Sequence, residues 1–230
     1  MQKITIRILI LLTILLTPLV IVPGVVRLLV TDQYLAFEYG KSDFPKDVFG
    51  FDQSQRFSHA SDNLHYIVEK RPATFLSGQK HGDAPLYNPR EISHMQDVQN
   101  VFQAVWNLWA TASVLFIICA LALTLVGGGR KPISAGLKTG GLVTVGLFTL
   151  IGISAVVAWQ GWFALFHRIF FAEGSWLFSY SDTLIRLFPP QFWFDSAVTV
   201  SSLSLLSGFL VYGLGRAFSP KDDTVMIPVT

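Results

Sequence analysis

The chain has 230 residues, 51% of them hydrophobic and only 14% charged, against roughly 25% charged in an ordinary soluble domain. Seventeen Lys and Arg against fifteen Asp and Glu leave a formal charge of +2, too balanced for a dedicated nucleic-acid binder. A single cysteine, Cys119, excludes a disulfide framework and a cysteine-rich metal site, so the charge deficit points instead to a chain that partly faces lipid.

Four apolar stretches reach the length of about 20 residues that a bilayer demands. The first is Ile4 to Val30, interrupted only by Arg7, Pro18, Pro23 and Arg27. It is too long for the apolar core of a signal peptide and no small-residue cleavage site follows, so residues 1–30 read as a retained first helix. Residues 31–104 then form a 74-residue polar insertion, the size of a small cap. Within it, Gln33 to Tyr39 alternates weakly, compatible with a short strand. Ser58 to Glu69 places Ala60, Leu64, Ile67 and Val68 at helical spacing. The clearest start signal is Asn88-Pro89-Arg90-Glu91: an N-cap, a proline suited to the first helical position and an acid able to close a capping box. No Gly or Pro follows until Gly127, so one helix is expected from Pro89 to Val126, continuous with the second span, 105–126. At 1.5 Å per residue it would be roughly 57 Å long, about twice the hydrocarbon thickness.

A connection at 127–138 carries Arg130, Lys131 and Lys138 and no acid. The third span, 139–159, follows, then an aromatic-rich segment at 160–196, the fourth helix at 197–216 and a tail at 217–230. Small residues recur in the last two spans (Gly141, Gly146, Gly152, Ser201, Ser204, Gly208), as expected where helices approach closely in lipid. The basic 127–138 connection and both basic termini belong in the cytoplasm by the positive-inside rule. Residues 31–104, with seven basic and ten acidic residues, and residues 160–196 belong outside. The expected architecture is therefore an all-α membrane protein: four transmembrane helices with a small extracytoplasmic cap between the first and second.

All five histidines fall in the outside segments. His59, His65 and His81 read as solvated or packed within the cap. There is no HExxH, so no metal site is expected. His94 lies on the long helix on a stripe with Val98, Val101, Val105 and Leu108, a face expected to point inward. It stands roughly 16 Å above the nominal lipid edge; His167 stands roughly 12 Å above it if the third helix continues. The two imidazoles are then either neighbours at one height or unrelated groups satisfied by backbone. From Trp159 to Phe194 there are 13 aromatics in 36 residues, among them Phe163, Phe166, Phe170, Trp176 and Trp193. An interfacial belt accounts for a few; a sheltered pocket for acyl chains would use the surplus. Asp182 and Arg186 are four apart, so an intrahelical ion pair is their default role. Asp97 either orients His94 or faces water.

The stretch Leu86-Tyr87-Asn88-Pro89-Arg90-Glu91-Ile92-Ser93-His94-Met95-Gln96-Asp97-Val98 resembles a signature of the bacterial lipoprotein intramolecular transacylases. So do Phe166-His167-Arg168-Ile169-Phe170-Phe171, Trp176-Leu177-Phe178 and Asp182 to Pro189 with Phe192-Trp193. The resemblance runs through essentially the whole chain. It implies transfer of the sn-2 acyl chain of a diacylglyceryl lipoprotein to its own N-terminal cysteine amine, giving an N-acylated lyso-lipoprotein. It further implies His94 as general base, His167 as its assistant, the bacterial cytoplasmic membrane as location and an extracytoplasmic active site. Tyr87 and Arg90 are plausible pocket members with the aromatics named above, although Arg90 could equally serve the helix start. No cofactor is implied; the partners are the lipoprotein substrate and membrane lipid, and no oligomeric state follows. The alternative is a non-catalytic membrane assembly or partner-binding protein of the same fold. A channel or transporter is disfavoured, because the second and third spans carry no charge.

Overall fold

The computed structural model describes residues 2–126 and 130–219. Four helices are long and apolar enough to cross a membrane: α1 (Gln2–Leu29), α5 (Pro89–Val126), α6 (Arg130–Val157) and α9 (Pro190–Ala217). Between α1 and α5 lie α2 (Asp32–Tyr39), α3 (Gln53–Val68), the single turn α4 (Thr74–Ser77) and an antiparallel pair, β1 (Lys80–His81) with β2 (Ala84–Pro85). Between α6 and α9 lie α7 (Trp159–Phe170) and the short α8 (Thr183–Leu187). Most of the residues of each candidate span are not buried within the protein, and Leu125 and Leu150 are more than two-thirds exposed. Helices that expose apolar side chains in this way are suited to lipid, not water.

The chain forms two compact units. One comprises 1–21, 111–147 and 204–230, as far as those residues are described. Its apolar clusters centre on Leu123 with Ile133 and Leu137, and on Leu16 with Ala112 and Cys119. Cys119 is a packing residue there. Its buried threonines are turned back on their own helices, whereas Ser134 of α6 donates to the Gly215 carbonyl of α9 at 2.8 Å. Thr13 and Thr17 donate to the carbonyls of Leu9 and Thr13 at 2.8 and 2.7 Å. Glycine is required where α6 and α9 meet: a Cβ on Gly141 would fall 2.7 Å from Tyr212 N, and one on Gly208 3.0 Å from the Gly141 carbonyl oxygen. Gly146, from the same set of small residues, would meet nothing within 4 Å. The third helix starts at Arg130, not 139, so Arg130, Lys131 and Lys138 ride on α6 rather than in a loop. Most of the expected tail, from residue 220 on, lies outside the described residues.

The second unit comprises 22–110 and 148–203. Its core joins Leu35, Tyr39, Tyr66, Leu76 and Leu86 to Leu184, Leu187 and Phe192. The insertion after α1 and the 183–192 segment therefore share one core. Two local expectations need correction. Residues 32–39 are helical, because Thr31 caps them, accepting from Tyr34 N, and Asp32 occupies the favourable first turn. The helix over Ser58–Glu69 begins earlier, at Gln53, where Asp52 and Gln55 close a capping box. The β1–β2 turn was not anticipated; Gly82 supplies its positive φ of 61°.

Candidate active site

The long helix begins as its sequence dictates. Asn88 accepts from Arg90 N (2.9 Å) and Glu91 N (3.0 Å), and Asn88 N donates to Glu91 Oε2 (2.8 Å). The other carboxylate oxygen, Glu91 Oε1, accepts from Leu184 N at 2.7 Å. Thr183 donates to the Leu86 carbonyl at 2.5 Å. The capping box thus doubles as a strut that fixes the start of α8 against the start of α5. One turn further along α5, His94 is 9% exposed. The stripe below it is inward only at first: Val98, Val101 and Val105 are partly buried, whereas Leu108 is half exposed.

His167 does not ride on a continued third helix. The backbone breaks at Ala158 (φ −135°, ψ 48°), and His167 sits near the end of the separate helix α7. Its Nδ1 lies 2.8 Å from the Phe163 carbonyl oxygen, an acceptor, so Nδ1 carries the proton and donates. The Nε2 lone pair is then the free, basic edge. Burial pulls His167 below the usual histidine range, which favours this neutral form near pH 7.

The two imidazoles come together, with ring centroids 6.4 Å apart and planes 21° from parallel. Phe171 and Phe178 flank His94 at 4.9 and 5.4 Å, edge to face. Phe163 (4.0 Å), Trp176 (4.8 Å), Phe166 (5.5 Å) and Phe171 (5.6 Å) surround His167. Phe170 extends the group through Phe166 at 5.0 Å. Two polar atoms in this shell are buried without a hydrogen-bond partner: His94 Nδ1 and Trp176 Nε1. Leaving such groups unpaired costs roughly 1–3 kcal/mol each. Asp97 does not hold His94 Nδ1, which has no partner. Phe171 and Phe178 had not been singled out as site residues. The signal was present: Phe171 adjoins Phe170, and Phe178 lies two residues from Trp176.

Arg90 is a clamp for the loop that carries Trp176. It donates from Nη2 to the Leu177 carbonyl (2.6 Å) and the Gly174 carbonyl (3.4 Å), and its guanidinium lies 5.7 Å from the Phe178 ring centroid. Tyr87 is elsewhere: 3% exposed in the unit's core, with its hydroxyl accepting from Asn63 at 2.6 Å. Trp193 packs on Phe188 and Phe192, not on the imidazoles.

The expected Asp182–Arg186 ion pair is absent. Asp182 is the N-cap of α8, and its carboxylate accepts from Ser179 N (2.8 Å) and Asn88 Nδ2 (3.3 Å). Arg186 instead grips Asp47 with two 3.0 Å bonds and lies 3.6 Å from the Phe51 ring centroid. A cap carboxylate turned back on the preceding chain cannot also reach the next turn.

The other histidines stand apart from this pair. His65 lies between Glu69 (2.7 Å) and Asp32 (3.1 Å). His59 and His81 both pack on Phe51 and line an open cleft of about 440 Å³. No group of three or more His, Cys, Asp or Glu side chains among the described residues is placed to hold a metal ion.

A model of the family "Lipoprotein intramolecular transacylase Lit" matches residues 10–193. An uncharacterized protein of Aquifex aeolicus (strain VF5) is 30% identical over 190 residues, covering 82% of this chain and 84% of the relative. The solved structure of the lipoprotein intramolecular transacylase Lit from Bacillus cereus superposes with a TM-score of 0.78 at 18% identity, covering 93% of this chain and 95% of that one. A form of that protein with a histidine replaced by arginine superposes at 0.63, also at 18% identity, covering 94% and 93% of the two chains. The family match spans the four-helix frame up to the start of α9 and both imidazoles: the chain is a multi-pass membrane protein and belongs to the lipoprotein intramolecular transacylase family.

Proposed function

We propose that this chain moves the sn-2 acyl chain of a diacylglyceryl lipoprotein onto the α-amine of the same lipoprotein's N-terminal cysteine, at the extracytoplasmic face of the cytoplasmic membrane. The observation that carries the reading is the pair of near-parallel imidazoles, 6.4 Å apart, inside a shell of aromatic rings. The transfer needs no enzyme nucleophile. Its cyclic path closes about eight atoms, so positioning supplies much of the rate. An α-ammonium loses its proton near pKa 7.7–8, within reach of an imidazole base. His94 takes the amine proton and, as imidazolium, gives it to the departing glyceryl oxygen; His167, whose Nε2 lone pair is free, assists by accepting a hydrogen bond. Phe163, Phe166, Phe170 and Trp176 shelter the acyl chains. Arg90 contributes by holding the Trp176 loop, and the surroundings of Tyr87 and Trp193 support no contact with the reacting atoms. Lys3 and Arg7 at the start of α1 and Arg130, Lys131 and Lys138 on α6 support cytoplasmic termini.

The test is a purified-protein reaction with a synthetic S-diacylglyceryl lipopeptide bearing a free amine. The product has the same mass, and fragmentation places one acyl chain on nitrogen. Labelled phospholipid in the same vesicles leaves the product unlabelled. An unchanged lipopeptide, or label in the product, overturns the proposal.

A further inference from the structure

We propose that the indole Nε1–H of Trp176 is the hydrogen-bond donor that receives the oxyanion formed on the migrating acyl group. This rests on the transacylase reading above and assigns it a third catalytic residue.

The chemistry requires such a donor. The amine nitrogen bonds to the ester carbonyl carbon, and the carbonyl π pair moves onto oxygen. The amine proton passes to an imidazole. When the tetrahedral centre collapses, the pair returns, the bond from carbon to the glyceryl oxygen breaks and the imidazolium gives its proton to that oxygen. Nothing external is consumed. One imidazole carries the proton and the free Nε2 of the other is an acceptor, so the charged oxygen needs a different partner.

Among the aromatic rings packed on the imidazoles, one carries a donor. The other rings packed on the two imidazoles are Phe163, Phe166, Phe171 and Phe178, which carry no donor. Trp176 lies 4.8 Å from His167, centroid to centroid, and its Nε1 is buried with no acceptor. An indole N–H can only donate. A buried donor without an acceptor, beside the catalytic pair, is what a site complementary to a transient oxyanion presents before substrate arrives. The donor is also held in place. Arg90 grips the carbonyls on either side of Trp176, at Gly174 and Leu177, and Ser175 donates to the Ala172 carbonyl at 2.8 Å. Such fixing removes reorganisation at the moment the charge develops.

Trp176→Phe keeps the ring and deletes the donor. With the full-length protein in phosphatidylcholine vesicles and the S-diacylglyceryl lipopeptide, its kcat should fall about 10²–10³-fold. KM should stay within about threefold. Trp176→His restores an N–H and should recover about tenfold over the Phe variant. Trp106→Phe, at an indole stacked on Trp109, is the matched control and should retain full activity. A Trp176→Phe kcat within about threefold of the parent overturns the proposal, as does a loss confined to KM. If both variants unfold, the parent protein decides. With indole nitrogen-15 label, one of its six indole signals must move downfield when the N-acyl lyso product binds. No such movement also overturns the proposal. Failure of the underlying reading looks different: the parent itself would leave the lipopeptide unchanged.

Discussion

The unit around Leu123 and the unit around Leu187 are held together by different means. In the first, α6 and α9 approach through Gly141 and Gly208, and the buried threonines satisfy themselves on their own helices. In the second, charged groups bind distant backbone. Arg56, 5% exposed, donates to the carbonyls of Arg186 and Pro45, and Arg186 pairs with Asp47. The contrast follows from the solvent. Lipid gives helices no hydrophobic reason to associate, so close backbone packing does the holding. A unit that meets water gains from burying apolar surface and must then satisfy whatever polar groups it buries. The two imidazoles belong to the second unit, where the polar anchors fix the start of α5 and the loop carrying Trp176.

Removing the reactive groups should give the largest effect. His94→Ala and His167→Ala should each slow transfer about 10²–10⁴-fold in the lipopeptide reaction, with near-parental thermal stability. His81→Ala, outside the pair, should match the parent. Equal tolerance at all three positions would separate the imidazole pair from the chemistry.

Stability comes next. Asp47→Ala strands the Arg186 guanidinium, whose side chain is 12% exposed, and also frees Phe49 N and Phe51 N. Breaking one side of so buried a pair should cost about 3 kcal/mol, read from thermal or denaturant unfolding in detergent. The glycine contact should respond more mildly. Gly141→Ala should cost about 1–3 kcal/mol through overpacking. Gly146→Ala, open within 4 Å, should be neutral or slightly stabilising. Equal effects at the two glycines would contradict the account of the first unit.

The smallest expected effect is at His65. Its hydrogen bond to Glu69, then the one to Asp32, raises its pKa above the ordinary histidine value. A raised folded-state pKa means that the stabilisation is fully present below the unfolded value of about 6.5 and is lost as pH rises through the folded one. His65→Ala should therefore lower the melting temperature slightly at mildly acidic pH and leave it unchanged at alkaline pH. The reverse pattern would show that the two carboxylates do not act on this ring.

Features written in adjacent residues were legible in the sequence. Asn88-Pro89-Arg90-Glu91 announced α5, and the gap without Gly or Pro up to Gly127 announced its length. The apolar runs announced four helices. Features that depend on distant partners were not. Arg186 chose Asp47, 139 residues away, over Asp182, whose carboxylate is turned back on Ser179 and Asn88. Tyr87 lies next to the signature cap residue yet points to Asn63 in the core. The break at Ala158 falls at neither Gly nor Pro, so periodicity alone ran the third helix onward. The proximity of His94 and His167 could be framed from helical rise, but the clamp made by Arg90 and the orphaned Trp176 Nε1 needed coordinates.

The central claim, that donor ester and acceptor amine sit on one molecule between the two imidazoles, is tested most directly by an isotopic crossover. A lipopeptide with deuterated acyl chains on an unlabelled peptide is mixed with one carrying light chains on a carbon-13 peptide, and the N-acylated products are read by tandem mass spectrometry. The account predicts only parental pairings, heavy chain with light peptide and light chain with heavy peptide. Appearance of the two crossed products would contradict it.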